Sequence, residues 1–489
     1  MTGFEILAVL LLGFLSLHFI LTKKKTQNLP PGPSWSWPLL GHLPMLGSKP
    51  FETFQQWNKD KYGPVISVKM GSYPTVVLND AKIIKDALNQ NSLTGRPKIK
   101  FFMDRSGGTA KGILFTDGHK WLEQRRFALR QLRDFGFGRK SMESIIAEEA
   151  VELAERLQSH CGKPMSIQMA FNAAILNALW SLLTGERFKQ DDPDLAATLN
   201  ILTTSVQENN TIQGVATFLP FIAKWFPNLS GYTRMMRDVP LVTDFVWKTI
   251  PYHEETFQEG VKRDFLDVYI DEVRKTKDPN SPFHKSNSEM NWVLIDLFIA
   301  GTETTSTTLS WTFLYMAKYQ AVQKKLHEEI DRVVGPSRQP CLNDRNEMHY
   351  TQAVMHEVMR DSTLVPFALF HNTTEDTEIG GYFVPKDTLI IPNIHAVHHD
   401  ADVWGDLDFR PERFLNEKGE FQRHENFMAF STGKRVCLGE GLARDEYFLF
   451  LTTLFQKFHV SVDGEINMEG FVGLVLSPKP HKFILKERM

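Results

Sequence analysis

Cysteine is scarce. Only three occur in 489 residues: Cys161, Cys341 and Cys437. An odd number at long spacings argues against a disulfide framework and for a reducing compartment. Excess charge of either sign is missing as well. The 55 Lys and Arg against 58 Asp and Glu leave a net −3, whereas a nucleic-acid-binding chain shows a basic excess. Tyrosine, at 10, is sparse beside 36 phenylalanines, which points to large dry interiors. Past residue 50 there is no internal repeat and no low-complexity tract. With 42% hydrophobic and 23% charged residues, the composition excludes a disordered chain, a collagen and a polytopic membrane protein. The length prior of about 150 residues per domain suggests about three domains.

One long apolar run exists. Residues 3–22 read GFEILAVLLLGFLSLHFILT, with Glu5 the single charge. Twenty residues of helix span about 30 Å, enough for a bilayer core. Lys23, Lys24 and Lys25 follow directly, and basic residues stay on the cytoplasmic side. A cleaved signal peptide carries its charge before the apolar run, and a mitochondrial presequence is Arg-rich and amphipathic; neither pattern is present. Residues 1–22 are therefore expected to be a transmembrane anchor with the bulk of the chain in the cytosol. Residues 23–49 form a basic stretch with Pro30, Pro31, Pro33, Pro38 and Pro44. Proline fixes φ and removes donors, so this stretch is expected to be a non-helical, stiff spacer.

Helical periodicity dominates the rest. Helices are expected at 51–62, 120–133, 140–158, 167–184, 191–207, 232–256, 262–275, 288–319 and 321–334. Strand-like patches fall at 65–70, 75–78, 378–384, 388–391, 460–462 and 483–485. The fold class is thus mainly α with a small β portion. The best loop, 276–288, is too short to separate domains, so residues 50–489 are expected to form one body.

Near the C-terminus, residues 430–440 read FSTGKRVCLGE. A lone cysteine is usually a small buried hydrophobe, but the setting of Cys437 differs. Gly433 and Gly439 permit a tight loop with positive φ and close backbone approach. Such a loop can aim backbone N–H groups at the sulfur, and Arg435 adds positive charge; both favour a thiolate. Here the sequence resembles the cytochrome P-450 superfamily. Its haem-ligand signature F-x-x-G-x-R-x-C-x-G is matched by Phe430, Gly433, Arg435, Cys437 and Gly439. The resemblance covers essentially the whole chain after the apolar run. It implies the cytochrome P-450 fold enclosing haem b (iron-protoporphyrin IX), with Cys437 as the axial thiolate ligand of the iron. A thiolate ligand pushes electron density to the iron and favours O–O cleavage.

Further motifs match the same family. Ala300-Gly301-Thr302-Glu303-Thr304-Thr305 lies inside the long predicted helix. A mid-helix glycine costs about 1 kcal/mol relative to alanine, and the resemblance implies close approach of the flat cofactor at Ala300 and Gly301 as the reason. A helical threonine bonds back to the carbonyl four residues earlier. If that bond opens, the Thr304 hydroxyl can serve oxygen activation, with Glu303 feeding protons through water. Glu357 and Arg360, at i and i+3 on one helix face, match the family's E-x-x-R, and Arg413 supplies its downstream arginine. The three are expected to form a buried structural network. Trp121 and Arg125, at i and i+4, match haem propionate contacts, as do Arg96, His371 and Arg435; buried propionates need such partners.

The runs 121–138 and 430–444 look most like the drug- and steroid-metabolising microsomal branch, and ALRQLRDFGFG at 128–138 has an arthropod flavour. The resemblance implies an NADPH- and O2-dependent monooxygenase. It would insert one oxygen atom into a lipophilic small molecule (a xenobiotic, steroid, terpenoid or fatty acid). Electrons would come from NADPH–cytochrome P-450 reductase, with cytochrome b5 a further partner, at the endoplasmic reticulum membrane. Segments 98–114, 201–222, 293–305, 363–369 and 471–476 are expected to line an apolar substrate pocket. The basic stretch Arg126, Arg130, Arg133, Arg139 and Lys140 is expected to dock the reductase. Three rivals are a haem-thiolate isomerase or dehydratase, a non-catalytic haem sensor, and a cofactor-free tethered protein; the Glu303–Thr304 pair argues against the first. His395, His398, His399 and Asp400 imitate a zinc cluster but lack cysteine partners.

Overall fold

In the computed structural model, residues 28–135, 140–189, 192–208 and 215–488 are described. The expected anchor at 1–22 and the three lysines after it lie outside the described residues. Among those described, no helix is long and apolar enough to cross a membrane.

Helix accounts for 53% of the structure and the sheets are small, which places the chain in the mainly-α class. The longer helices are α1 (Gly118–Phe135), α2 (Lys140–Gln158), α3 (Gln168–Thr184), α4 (Pro193–Glu208), α5 (Tyr232–Trp247), α6 (Phe265–Lys275), α7 (Met290–Lys318), α8 (Gln320–Val333), α9 (His349–Ser362) and α10 (Glu440–Lys457). The strands are β1 (Val65–Met70), β2 (Tyr73–Leu78), β3 (His371–Asn372), β4 (Thr377–Ile379), β5 (Tyr382–Val384), β6 (Leu389–Pro392), β7 (Phe458–Val462), β8 (Gly470–Val472), β9 (Leu476–Pro478) and β10 (Phe483–Glu487). One sheet has the order β1-β2-β6-β3. Within it β2 and β6 run parallel, with Val77 opposite Ile391, and the other pairs are antiparallel. The rest are two-stranded: β4–β5, β7–β10 and β8–β9.

Helix α7 is the axis of the molecule, packing on α3, α9, α10, β7 and β9. Its sequence is apolar all round over much of its length, as a buried helix requires. Most of the hydroxyls that interrupt it satisfy themselves. Thr302, Thr304, Ser306, Thr308, Ser310 and Thr312 each donate to the carbonyl four residues back at 2.7–3.0 Å. No buried hydroxyl in this ladder needs an outside partner, so the helix passes through the core without a desolvation penalty at each one.

The predicted helix at 51–62 runs as an α-helix to Trp57 and finishes as one π-helical turn, Asn58–Tyr62. Three local expectations are corrected. The predicted helix at 232–256 breaks after Trp247, with a second piece at Thr249–Thr256; Pro251 has no N–H for the Trp247 carbonyl and crowds it. The patch at 378–384 is a hairpin, turned at Gly380 and Gly381, both with positive φ. The proline stretch contains a short 3-10 turn, Leu43–Met45, with Pro44 in its first turn. Nor does its body-proximal part stand free. The Pro31 carbonyl accepts from Ser67 N–H (2.7 Å), His42 N–H donates to the Lys69 carbonyl (2.7 Å), and Lys69 N–H donates to His42 Nδ1 (2.8 Å). The stretch lies along β1 as an extra edge.

Candidate active site

Gly433 shapes the loop before α10: it has φ +75°, and a Cβ there would sit 2.2 Å from the Leu88 carbonyl oxygen. Gly439 has φ −93°, a backbone conformation that any residue adopts. Cys437 N–H donates to the Phe430 carbonyl at 3.0 Å and closes the loop. Of the three cysteines, Cys437 alone has an exposed surface, yet burial is the leading influence on its thiol and pushes its pKa up. The amides of Gly439 and Glu440 and the Arg125 cation pull the other way. The cation that acts on the sulfur is therefore Arg125, not Arg435 as the sequence spacing suggested. Arg125 also donates to the Val436 carbonyl (2.6 Å), tying α1 to the loop.

Arg435 points elsewhere, because the loop turns its side chain back toward the 94–116 segment. It donates to the carbonyls of Thr94 (2.9 Å) and Thr116 (2.5 Å) and lies over the Trp121 ring at 3.8 Å. Arg96 donates to the carbonyls of Leu114 (2.9 Å) and Phe370 (2.7 Å). Nδ1 of His371 bonds the Leu93 carbonyl at 2.7 Å, which sets Nε2 on the opposite side of the ring. Burial, then the neighbouring Arg96, drops Arg435 to about 7. Burial, then Arg125, drops Arg96 to about 9. Burial, then Arg96, holds His371 well below its ordinary value. Among the described residues, Asp117 is the one carboxylate that supports Arg96 and Arg435. Positive charge is thus concentrated in a buried place with too little negative charge to balance it. An anion with two carboxylates would supply the missing charge.

On α7, Leu297, Ala300, Gly301 and Thr304 are partly accessible and share one face, while residues 305–317 are buried throughout. A Cβ at Gly301 would come within 2.5 Å of Leu179 Cδ2, so the glycine also lets α3 pack closely. Thr304 keeps its back-bond to the Ala300 carbonyl (2.7 Å). Glu303 is turned away from Thr304 and is 1% exposed. Its Oε2 accepts from Thr203 Oγ1 (3.0 Å) and Asn172 Nδ2 (3.5 Å), and its Oε1 from Thr307 (3.3 Å). Burial raises its pKa against those hydrogen bonds.

Glu357, Arg360 and Arg413 come together. Glu357 accepts from Arg360 Nε (2.7 Å) and Nη2 (2.8 Å), from Arg413 Nε (3.0 Å) and from Arg410 N–H (2.8 Å). Both Glu357 and Arg360 are fully buried. The histidine run does not make a metal site. His395 stacks on His399 at 4.0 Å, and His398 bonds Thr363 Oγ1 and Met428 N–H.

Among the described residues, His253, Asp264 and Asp267 are the group close enough to share an ion, but their bonds are already used. Arg263 grips Asp267 twice (2.5 and 2.8 Å), and His253 reaches the Thr249 carbonyl (2.9 Å) and Asp264 (3.0 Å). Burial lowers the pKa of His253, but the bonds to Asp264 and Thr249 outweigh it and leave a net rise above 6.5. The pair's stabilisation is therefore complete below about pH 6.5 and fades as pH rises through the higher folded value. His253→Gln is expected to remove that pH dependence, as read from urea melts across pH 6 to 9.

Two acids escaped sequence reasoning. Asp296 Oδ2 accepts the amides of Ile113 (2.6 Å) and Leu114 (2.9 Å), and its Oδ1 accepts from Arg105 (2.8 Å). Glu289 accepts the Gly112 amide (3.0 Å). Together they fasten the loop that carries Phe115 to α7. The available signal was an acid inside an otherwise apolar helix. A small, partly open pocket lies beside that loop, lined by Phe102, Phe115, Phe367, Phe370 and Leu474, with Arg96 on its wall. The expected segments 98–114, 363–369 and 471–476 contribute to it; 293–305 do not, nor do the described residues of 201–222.

The profile of the Cytochrome P450 family matches residues 30–485. The chain belongs to the cytochrome P450 family. It is 37% identical to cytochrome P450 2J3 of Rattus norvegicus over 99% of this chain and 96% of the relative. It is 36% identical to cytochrome P450 2L1 of Panulirus argus, covering 96% of each. It is 38% identical to cytochrome P450 2J2 of Homo sapiens, over 97% of this chain and 95% of the relative. This cytochrome P450 is accordingly a haem-thiolate monooxygenase with the family's mainly-α fold. The donor set suits the family's haem: one accessible thiol, a basic cluster short of negative charge, and a helix with an accessible small-residue stripe.

Proposed function

We propose that this cytochrome P450 uses NADPH and O2 to insert one oxygen atom into a lipophilic small molecule held in the phenylalanine-lined cavity. The carrying observation is the buried, under-compensated basic cluster beside the accessible Cys437 thiol. Cys437 ligates the iron of haem b. Arg96, Trp121, Arg125, His371 and Arg435 hold its propionates, and Ala300 lets it lie close to α7. When bound, the haem supplies the dioxygen-activating redox chemistry. The chain supplies the rest. Thr304 presents its hydroxyl at the accessible stripe once the bond to Ala300 opens. Glu303 is the proton source behind it. The Phe side chains exclude water and favour apolar substrates.

Residues 1–22 anchor the protein in the endoplasmic reticulum membrane, 23–49 connect it to the body, and 50–489 form the cytosolic catalytic body. Reductase, with cytochrome b5 as a second donor, docks on the exposed face of α1. Arg126, Arg130 and Arg133 share that face and are all exposed; Arg139 and the Lys140 side chain lie outside the described residues. Charge reversal at Arg126 and Arg133 is expected to slow reductase-supported reduction several-fold and flatten its salt dependence. Stopped-flow reduction across ionic strength checks this, and unchanged rates would remove the docking face. The overall reading is tested by the reduced–CO spectrum and by a spectral-shift screen of lipophilic ligands, followed by product identification with reductase. A spectrum without the thiolate red shift would sink it.

A further inference from the structure

The acid beside Thr304 is held by two other helices. Neighbouring helical residues point about 100° apart, so Thr304 reaches the accessible stripe while Glu303 faces α3 and α4. Asn172 of α3 donates to Thr203 Oγ1 (2.7 Å), and Thr203 of α4 donates to Glu303 Oε2 (3.0 Å). The hydroxyl proton of Thr203 is thereby committed to the carboxyl. Asn172 and Glu303 are 0% and 1% exposed. The partners of Glu303 are neutral groups, with no cation among them, and a buried carboxyl without a cation favours its neutral form. Asn172 Oδ1 is buried and has no hydrogen-bond partner among the described residues.

We propose that Thr203, braced by Asn172, is a positioning residue that stores Glu303 as a neutral acid turned away from Thr304, and that exchanging this hydrogen bond frees the acid for proton delivery. The inference rests on the reading of Glu303 as the proton source. It makes α4 a control point for a residue on α7.

The experiment uses the haem-loaded full chain with Thr203→Val, Thr203→Ser, Glu303→Gln and the parent. The first readout needs no turnover: the infrared C=O stretch of the protonated carboxyl in the ferric protein, assigned by its loss in Glu303→Gln. Removing one donor in Thr203→Val should raise its frequency, and Thr203→Ser should restore it. The second readout is peroxide released per NADPH oxidised, with reductase and no added substrate. Two electrons and two protons per O2 give peroxide; four of each give two waters. A freed acid therefore lowers the peroxide share, by up to about fivefold for the population shift that one net hydrogen bond is worth. Thr203→Ser should match the parent.

If Glu303→Gln leaves the peroxide share unchanged, Glu303 is not the proton source and the underlying reading fails. If Glu303→Gln changes that share but Thr203→Val moves neither band nor share, the storage role is overturned. A change in share without a band shift also overturns it, because Thr203 then acts by another path. If no carboxylic-acid band is lost in Glu303→Gln, the acid is not stored in neutral form.

Discussion

Cys437→Ala is expected to abolish monooxygenation while leaving a folded protein. The truncation removes one sulfur from a site with accessible surface, so the loss of packing is small, about 1 kcal/mol or less. The loop itself is held without the thiol, by the Cys437 N–H bond to Phe430, by Gly433 against Leu88, and by Arg125 on the Val436 carbonyl. The circular dichroism spectrum should therefore stay near that of the parent, while the urea midpoint falls only by what the lost ligand bond contributes through haem binding. The reduced–CO band characteristic of thiolate ligation should vanish, with product formation at background. Retained activity would remove Cys437 from the mechanism. The comparison with Cys161→Ala and Cys341→Ala makes the test specific, since both of those should behave as the parent.

Arg360→Leu is expected to be the most destabilising single change in the described structure. It removes both Arg360 hydrogen bonds from the fully buried Glu357 carboxylate and leaves it Arg413 and the Arg410 N–H alone, at a cost of about 3 kcal/mol. It also orphans the His398 carbonyl, which Arg360 Nη1 contacts at 2.8 Å. An apolar replacement of the whole network would not be neutral either. Arg413 donates to the Trp404 (2.7 Å) and Asp408 (2.7 Å) carbonyls, and those acceptors would lose their partner. Arg413→Lys keeps the charge but not the planar fork and should cost less, about 1.5–3 kcal/mol. Urea denaturation and the yield of soluble haem-loaded protein separate the two. An Arg360→Leu protein with the parent's midpoint would contradict the structural role.

How much was legible beforehand varies with the range of the interaction. Helix α2 falls on its predicted bounds because its apolar spacing and neighbours within four residues decide it. The Trp121–Arg125 and Glu357–Arg360 spacings were legible for the same reason. The joint between α5 and the piece after it was missed because apolar periodicity continues across Pro251 while the hydrogen-bond ladder does not. The packing role of Gly301 was not legible. Sequence shows a glycine in a helix but not that Leu179, over a hundred positions away, occupies the space its side chain would need. Asp296 and Glu289 were passed over because the amides they hold belong to residues 112–114, a separation no local pattern records.

What this sequence determines by itself is the chemistry: a family signature around Cys437, an acid–threonine pair, and the run of self-bonding hydroxyls that lets α7 be buried. These depend on residue identity and spacing within a few positions. Only the tertiary structure decided which way those groups face. It sets Arg125 rather than Arg435 on the sulfur, and it gathers Arg96 and Arg435 from distant segments into one under-compensated charge, with a neutral His371 beside them. It also turns Glu303 into the grip of Thr203 and Asn172. The physical reason is that direction and burial come from packing between elements, and desolvation and unmatched charge exist only once those elements have met.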